Sequence, residues 1–101
     1  MPTVSIIVPA FNAAKTIAET LKSTEAQEFQ DFEVIVVDDG STDATVEVVR
    51  REFSDVRVIE QENAGPAAAR NHGAAEARGE WLAFLDADDT WLPWRLSLQL
   101  E

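Results

Sequence analysis

Three aspartates stand within four positions, Asp86, Asp88 and Asp89, directly after the apolar run Trp81 to Leu85. Carboxylates this close repel one another, and a shared cation relieves the repulsion. If the run is a strand, Asp86 and Asp88 project to one side of its end, because strand side chains alternate with period two. Two carboxylates so placed suit a hard divalent cation such as Mg2+ or Mn2+, which takes oxygen ligands and often shares them with substrate phosphates. The plainer alternative is a solvated acidic turn that caps the next helix. A second acidic pair, Asp38-Asp39, follows the run Phe32 to Val37. It either shapes a turn and caps a helix or, at Asp39, accepts an N–H from a base edge. Phe11, just beyond a third run, Val4 to Val8, either stacks on such a base or fills core.

Composition narrows the partners. The 101 residues suffice for one domain with one modest core. A net charge of −11 argues against nucleic acid or an anionic membrane as the main partner, since both need basic patches. Nucleotides remain open to an acidic chain, because they bind through backbone N–H groups and a metal. The absence of cysteine excludes disulfides and thiolate metal sites. No apolar run approaches the roughly 18 residues of a membrane span, and Met1-Pro2-Thr3-Val4 does not read as a signal peptide. The expectation is a cytoplasmic domain with no membrane contact from this segment.

The elements that must carry these residues alternate in type. Val4 to Val8 reads as a strand buried on both faces, ended by Pro9, which cannot donate to a ladder. Asn12 is a plausible N-cap for a helix over about Ala13 to Glu28, whose apolar face at Ala14, Ile17, Ala18 and Leu21 fades at Thr24 and Glu25. Its last turn is therefore expected to be exposed or poorly packed. Phe32 to Val37 is a second buried strand. Gly40 permits a tight turn, and Ser41, Thr42 or Asp43 can cap a helix from about Ala44 to Phe53. Val56 to Ile59 is a short third strand. Pro66 and Gly79 bracket an alanine-rich helix thin enough to lie close to a sheet. Trp81 to Leu85 reads as a buried fourth strand, and a last helix starts near Pro93. The order β-α-β-α-β-α-β-α predicts an α/β, Rossmann-like parallel sheet of about four strands with right-handed crossovers and helices on both faces.

In such sheets ligands sit beyond the carboxyl ends of the strands, where strand order reverses. The loops Pro9-Ala10-Phe11-Asn12, Asp38-Asp39-Gly40-Ser41 and Asp86-Ala87-Asp88-Asp89 all fall at such ends. Neither Gly-x-Gly-x-x-Gly nor a Walker loop with its Lys occurs, which argues against a dinucleotide cofactor or a P-loop nucleotide. An acidic site can still hold a diphosphate if a metal bridges the two.

Four motifs occur in order: Ser5-Ile6-Ile7-Val8-Pro9-Ala10-Phe11-Asn12, Val37-Asp38-Asp39-Gly40-Ser41-Thr42-Asp43, Asn63-Ala64-Gly65 with Ala69-Arg70-Asn71-His72-Gly73, and Phe84-Leu85-Asp86-Ala87-Asp88-Asp89. Together they resemble the nucleotide-binding half of family 2 glycosyltransferases with the GT-A fold, over nearly the whole chain. The resemblance implies a nucleotide-sugar donor, usually a UDP-sugar, a divalent metal, and inverting glycosyl transfer. Pro9, Ala10 and Phe11 would line the nucleotide pocket and Asp39 would hydrogen-bond the base. Asp86 would lie near the ribose, and Asp86 and Asp88 match the family's Asp-x-Asp, with Asp88 on the metal that bridges the diphosphate. Arg70 would support the acidic site. The resemblance also puts the catalytic base in an acceptor-binding half further downstream. None of this chain's residues is then the base, and the expectation is a domain over 1–101, truncated before that half, whether natural or designed.

Two rivals fit single stretches. Asp86-x-Asp88-x-Thr90 after an apolar strand resembles the haloacid-dehalogenase-type phosphatase motif, in which the first Asp is a nucleophile. That motif ends the first strand of its domain and needs a downstream Lys, whereas here it ends the fourth and no Lys follows Lys22. A non-catalytic module is the other rival. Trp91, Leu92, Trp94, Leu96, Leu98 and Leu100 load the end of the chain with apolar surface, and an open fourth-strand edge invites pairing, so a homodimer is expected. His72, the single histidine, reads as a surface or capping residue.

Overall fold

The apolar runs after Thr3 and Asp31, broken only by Ser5 and Glu33, form the two central strands, β1 (Val4–Ala10) and β2 (Phe32–Asp38), as residues with almost no polar face must. A computed structural model describes residues 2–99. Around the central pair lie α1 (Ile17–Glu25), α2 (Thr45–Glu52), β3 (Arg57–Glu60), α3 (Pro66–Glu76), β4 (Trp81–Phe84) and α4 (Arg95–Gln99). The strands make one parallel sheet in the order β3-β2-β1-β4. The α/β architecture with helices on both faces is therefore as the alternation predicts. One face of β1 and β2 (Val4, Ile6, Val8, Val34, Val36) packs with Ile17 and Leu21 of α1, Val49 of α2 and Leu96 of α4. The other face, Ile7, Ile35 and Val37, meets Ala69 of α3.

The thinness of α3 sets how close it lies. A Cβ on Gly73 would stand 2.5 Å from Cγ2 of Ile7 and 3.1 Å from Cγ2 of Val37. Both neighbours are β-branched and stiff, so neither can retreat. Gly73→Ala gains up to about 1 kcal/mol of helix propensity. Overpacking a close-packed face costs about 1–3 kcal/mol, so the substitution should lower the urea midpoint; a raised midpoint would show that α3 has room to move outward.

The chain runs β1, β2, β3 to one side and returns to β4 on the other side of β1. Strand order therefore reverses beside β1, and the crevice lies between the carboxyl ends of β1 and β4. The approach to β4 is fixed at the opposite end. Gly79 N–H donates to Oγ of Ser5, and Oε2 of Glu33 accepts from Ser5 Oγ at 2.6 Å and from Arg78 N–H at 2.7 Å. Burial pushes the Glu33 carboxyl up, but these bonds, with the Arg57 guanidinium 3.2 Å away, outweigh it and hold it below its ordinary value.

Several local expectations need correction. Pro9 does not end β1, which continues to Ala10. The Ile7 carbonyl accepts Leu85 N–H, so the odd-numbered residues of β1 face β4. The β4 pairing ends at Phe84 opposite Ile7, so the donor missing at Pro9 has no strand to meet. The fourth strand is not buried. Among the described residues it pairs with β1 alone, α3 covers β1 and β2, and Trp81, Leu82 and Phe84 remain 61%, 45% and 44% exposed. The first helix starts at Ile17 rather than Ala13, and Asn12 is not its cap. The last turn of α1 is not loose at Thr24, which is buried with its hydroxyl on the Leu21 carbonyl, while Glu25 is exposed. Leu100 and the end of the last expected helix lie outside the described residues.

Candidate functional site

At the end of β1 the backbone turns sharply. Asn12 takes a left-handed φ of 50°, uncommon outside glycine. Its N–H donates to Oγ of Ser41, and its Oδ1 accepts Thr42 N–H, both at 2.8 Å. Ala13 N–H reaches Oγ1 of Thr45 at 2.8 Å, and Ala14 N–H reaches Oδ2 of Asp43 at 3.1 Å. Asn12, Ala13 and Ala14 are thus tied to the β2–α2 segment. Asp43 also accepts N–H and hydroxyl of Thr45. The Thr45 hydroxyl is the main reason its carboxyl lies below the ordinary value. With the loops fastened, Phe11 stands 52% exposed and is not a core aromatic.

At the end of β2, Asp38 is buried. One of its oxygens accepts Ser41 N–H at 3.1 Å, and the other has no protein donor among the described residues. Gly40, at φ 79°, brings the backbone so near Asn63 N that a Cβ would lie 2.9 Å away, and this approach draws the β3–α3 loop over Asp39. Asp39 is only 4% exposed. Its Oδ1 accepts from Gln61 Nε2 and Ala64 N–H, both at 2.8 Å; its Oδ2 accepts from Gly65 N–H at 3.0 Å and Asn63 Nδ2 at 3.2 Å. The Gln61 bond first, then Ala64 N–H, holds the carboxyl below its ordinary value against the opposing effect of burial.

Beyond β4, Asp86, Asp88 and Asp89 are exposed, and one carboxylate oxygen from each lies within 4.8 Å of the others. Arg70 of α3 reaches Asp86 with 3.6 Å between Nη2 and Oδ1. The loop is held from behind by α1 and the residue before it, since Thr16 and Thr20 both donate to the Ala87 carbonyl at 2.9 Å, between the two motif aspartates. Ser23 Oγ accepts Trp91 N–H, and buried Gln27 bonds both the Leu92 carbonyl and Leu96 N–H. Three exposed carboxylates with converging oxygens make a hard-oxygen donor set that fits Mg2+ or Mn2+ and not a thiophilic metal.

These parts meet at one rim. A cleft of about 580 Å³ is lined by Pro9, Phe11, Asn12, Asp43, Asp86 and Asp88, among others. A second, of about 390 Å³, is lined by Pro9, Ala10, Phe11, Asp39, Asn63 and Asp86, with Gly65, Pro66 and Ala69 of the α3 end. A third brings Arg70 to Asp86, Asp88 and Asp89. Every residue singled out from the sequence as lining a nucleotide or metal site therefore borders a cleft that includes Asp86. The sequence reading missed the supports: Thr16, Thr20, Gln27, Gln61 and Asn63. Asn63 stands in a motif without a role, and the recurrence of Thr16 and Thr20 on one side of a helix hints at those two; nothing in the sequence points to Gln27 or Gln61. Thr20→Val should cost about 1 kcal/mol for the buried bond and weaken Mn2+ binding roughly 10-fold, the lower end for outer-sphere supports of a metal site. Unchanged Mn2+ affinity in a Thr16→Val, Thr20→Val double variant would detach α1 from the site.

The sequence profile described as glycosyl transferase family 2 matches residues 5–101. The succinoglycan biosynthesis protein ExoO of Rhizobium meliloti is 46% identical over all of this chain and 30% of its own length. The S. aureus TarS crystal structure in complex with UDP superposes with a TM-score of 0.89 at 36% identity, covering 97% of this chain and 31% of that one. The mannosyltransferase PcManGT from Pyrobaculum calidifontis, in complex with GDP-Man and Mn2+, superposes with a TM-score of 0.79 at 37% identity, covering 96% and 30%. The chain thus spans about 30% of the length of each of these three proteins. No helix of the described residues is long and apolar enough to cross a membrane.

Proposed function

The chain belongs to glycosyltransferase family 2, and from that premise we propose that it is the donor-binding part of an inverting transferase that takes a nucleotide-diphosphate sugar, a UDP-sugar first. The observation that carries this reading is the shared rim: the exposed ring of Phe11, the Asp39 carboxylate and the Asp86–Asp88 pair border adjoining clefts at the reversal of strand order. The UDP and GDP-Man complexes of TarS and PcManGT support the same donor class.

On this reading Phe11 stacks on the base, and Pro9 and Ala10 form the wall beside it. Asp39, ionised and acceptor-only, takes an N–H from the base edge. Uracil and guanine offer such an N–H, whereas cytosine has a bare ring nitrogen at the matching place. A carboxylate has about four lone-pair sites, and all four of Asp39 are in use. A base N–H therefore displaces the longest bond, that of the Asn63 amide at 3.2 Å. Asp86 lies near the ribose and is steadied by Arg70. Asp88 and Asp86 hold a divalent cation, Mn2+ or Mg2+, whose Lewis acidity when bound neutralises charge on the departing diphosphate. No residue of this chain is assigned the base that deprotonates the acceptor. Titration with UDP, with and without Mn2+, should shift the amides of Phe11 and Asp39 and tighten with the metal. Shifts confined to the far end of the sheet would overturn the reading.

The bare edge of β4 favours a second reading, self-association. Leu82 and Phe84, on a strand paired on one side only, are exposed, as are Leu92, Trp94 and Leu98. A second copy pairing along that edge gives the expected homodimer. With a net charge of −11 on each copy, it should strengthen as salt screens the repulsion. Phe84→Lys should abolish the dimer mass in light scattering, and a monomer at high concentration and high salt would refute the dimer.

A further inference from the structure

The carboxylate assigned to the base is held by a side chain that is itself held. Gln61 follows β3 directly, and its backbone N–H donates to the Asp38 carbonyl at 2.9 Å. Its side-chain amide sits between two groups: Asp39 Oδ1 on one side and His72 Nδ1 on the other, each at 2.8 Å. An ionised carboxylate only accepts, so the amide must turn its NH2 to Asp39. Its carbonyl oxygen then faces His72, and because a carbonyl oxygen also only accepts, Nδ1 of His72 must carry the hydrogen. The sense of the amide is thereby locked. Without a donor at position 72 the amide oxygen loses its partner, and the Gln61 side chain is no longer anchored on the side away from Asp39.

His72 is well placed to impose this order. It lies on α3 next to Gly73, where that helix packs against Ile7 and Val37 with no space for even a Cβ, and three residues from buried Ala69. The frame behind the ring is therefore rigid, whereas Gln61 and Asn63 belong to a connecting loop. His72 is neither a helix cap nor an uninvolved surface residue, as the sequence suggested.

We propose that His72 is a positioning residue for base recognition, acting through Gln61 to keep the Asp39 carboxylate in the orientation that receives the base N–H. This rests on the donor-site reading above and adds to it a relay from α3 to the base.

The test uses the chain itself with two probes, UDP in the presence of Mn2+ and Mn2+-pyrophosphate, which lacks a base. His72→Phe keeps the ring and removes the donor. It should weaken UDP roughly threefold to tenfold, the range for one lost neutral hydrogen bond, and leave pyrophosphate unchanged. His72→Asn, whose amide can donate from a similar position, should recover most of the loss. Gln61→Ala should reproduce the loss, and the double variant should add nothing to it. Nitrogen-15 spectra of the wild-type imidazole, recorded where the ring is neutral, should show the Nδ1–H tautomer, a readout that does not depend on any variant folding. An Nε2–H tautomer, wild-type UDP affinity in His72→Phe, or equal weakening of UDP and pyrophosphate would each overturn the relay. If the wild-type chain fails to prefer UDP over pyrophosphate, the donor-site reading falls first and the relay with it.

Discussion

In Asp88→Asn, Mn2+ should no longer tighten UDP binding. The substitution keeps the volume and one acceptor oxygen but loses the charge, and a hard divalent cation depends on charged oxygen ligands. The loss should be at least the ~10–100-fold that follows removal of a mere outer-sphere partner, and metal-free UDP affinity should stay as it is. The three aspartates are exposed and mutually repelling when no cation is shared. Removing one charge therefore relieves repulsion, so the urea midpoint measured with a chelator present should hold or rise slightly. A general loss of structure would instead lower the midpoint together with metal-dependent binding. Calorimetric titration of UDP with and without Mn2+ reads the effect, and Asp89→Asn run beside it tells whether the third carboxylate takes part. An Asp88→Asn chain with full Mn2+ dependence would remove Asp88 from the site.

Asp39→Ala should have the second large effect, on both binding and the loop. It removes the acceptor on which four donors now converge; Asn63 Nδ2 keeps the Asp39 carbonyl at 3.0 Å, but the backbone N–H groups of Ala64 and Gly65 are stranded. Buried donors left without an acceptor are costly, so the segment from Gln61 to Gly65 should loosen and the amides of Ala64 and Gly65 should exchange with solvent much faster. UDP should weaken roughly 10- to 100-fold, the range for a hydrogen bond to a charged group, and the preference for UDP over CDP should vanish. The pH dependence follows from the direction of the shift. Asp39 is held below the ordinary carboxylate value in the folded chain. Its contribution to stability is thus complete above that ordinary value, about pH 4 for an aspartate, and is lost as pH falls through the lower folded value. Asp43 and Glu33 are shifted in the same direction and add to the same acid limb. Wild-type stability should be level from neutrality down to about pH 5 and then fall, and Asp39→Asn should fall less steeply. An acid limb of unchanged steepness would show that Asp39 contributes nothing to it.

The parts of this molecule that could be read in advance are those whose side chains admit one environment. Runs such as Val4 to Val8 and Phe32 to Val37 have almost no polar face to offer water, so their central place follows. The acidic residues at strand ends are costly to bury without partners, and topology sends strand ends of a parallel sheet to one rim. What escaped reading depends on neighbours. Trp81 to Phe84 looks the same whether covered or bare; only the sheet order, with α3 lying over β1 and β2, leaves it at an edge. Ala13 and Ala14 favour a helix, but the chain enters them from Asn12 at a left-handed φ of 50° and stays in a turn up to Ile17. Thr24 looks too polar for a packed turn, yet its hydroxyl is satisfied by its own helix. Gln61 and His72 are ordinary residues whose part emerges only when a loop and a helix come together over Asp39.

On the reading proposed above, a cation and a nucleotide meet at the carboxyl rim beside β1. Mn2+ is paramagnetic and broadens nearby amide signals, so substoichiometric Mn2+ with saturating UDP maps the site directly. Broadening should centre on Asp86 to Asp89, extend to Phe11 and Arg70, and spare Glu52 to Val56 at the other end of the sheet. Broadening spread evenly over the acidic surface, or strongest at Glu52 to Val56, would contradict the account.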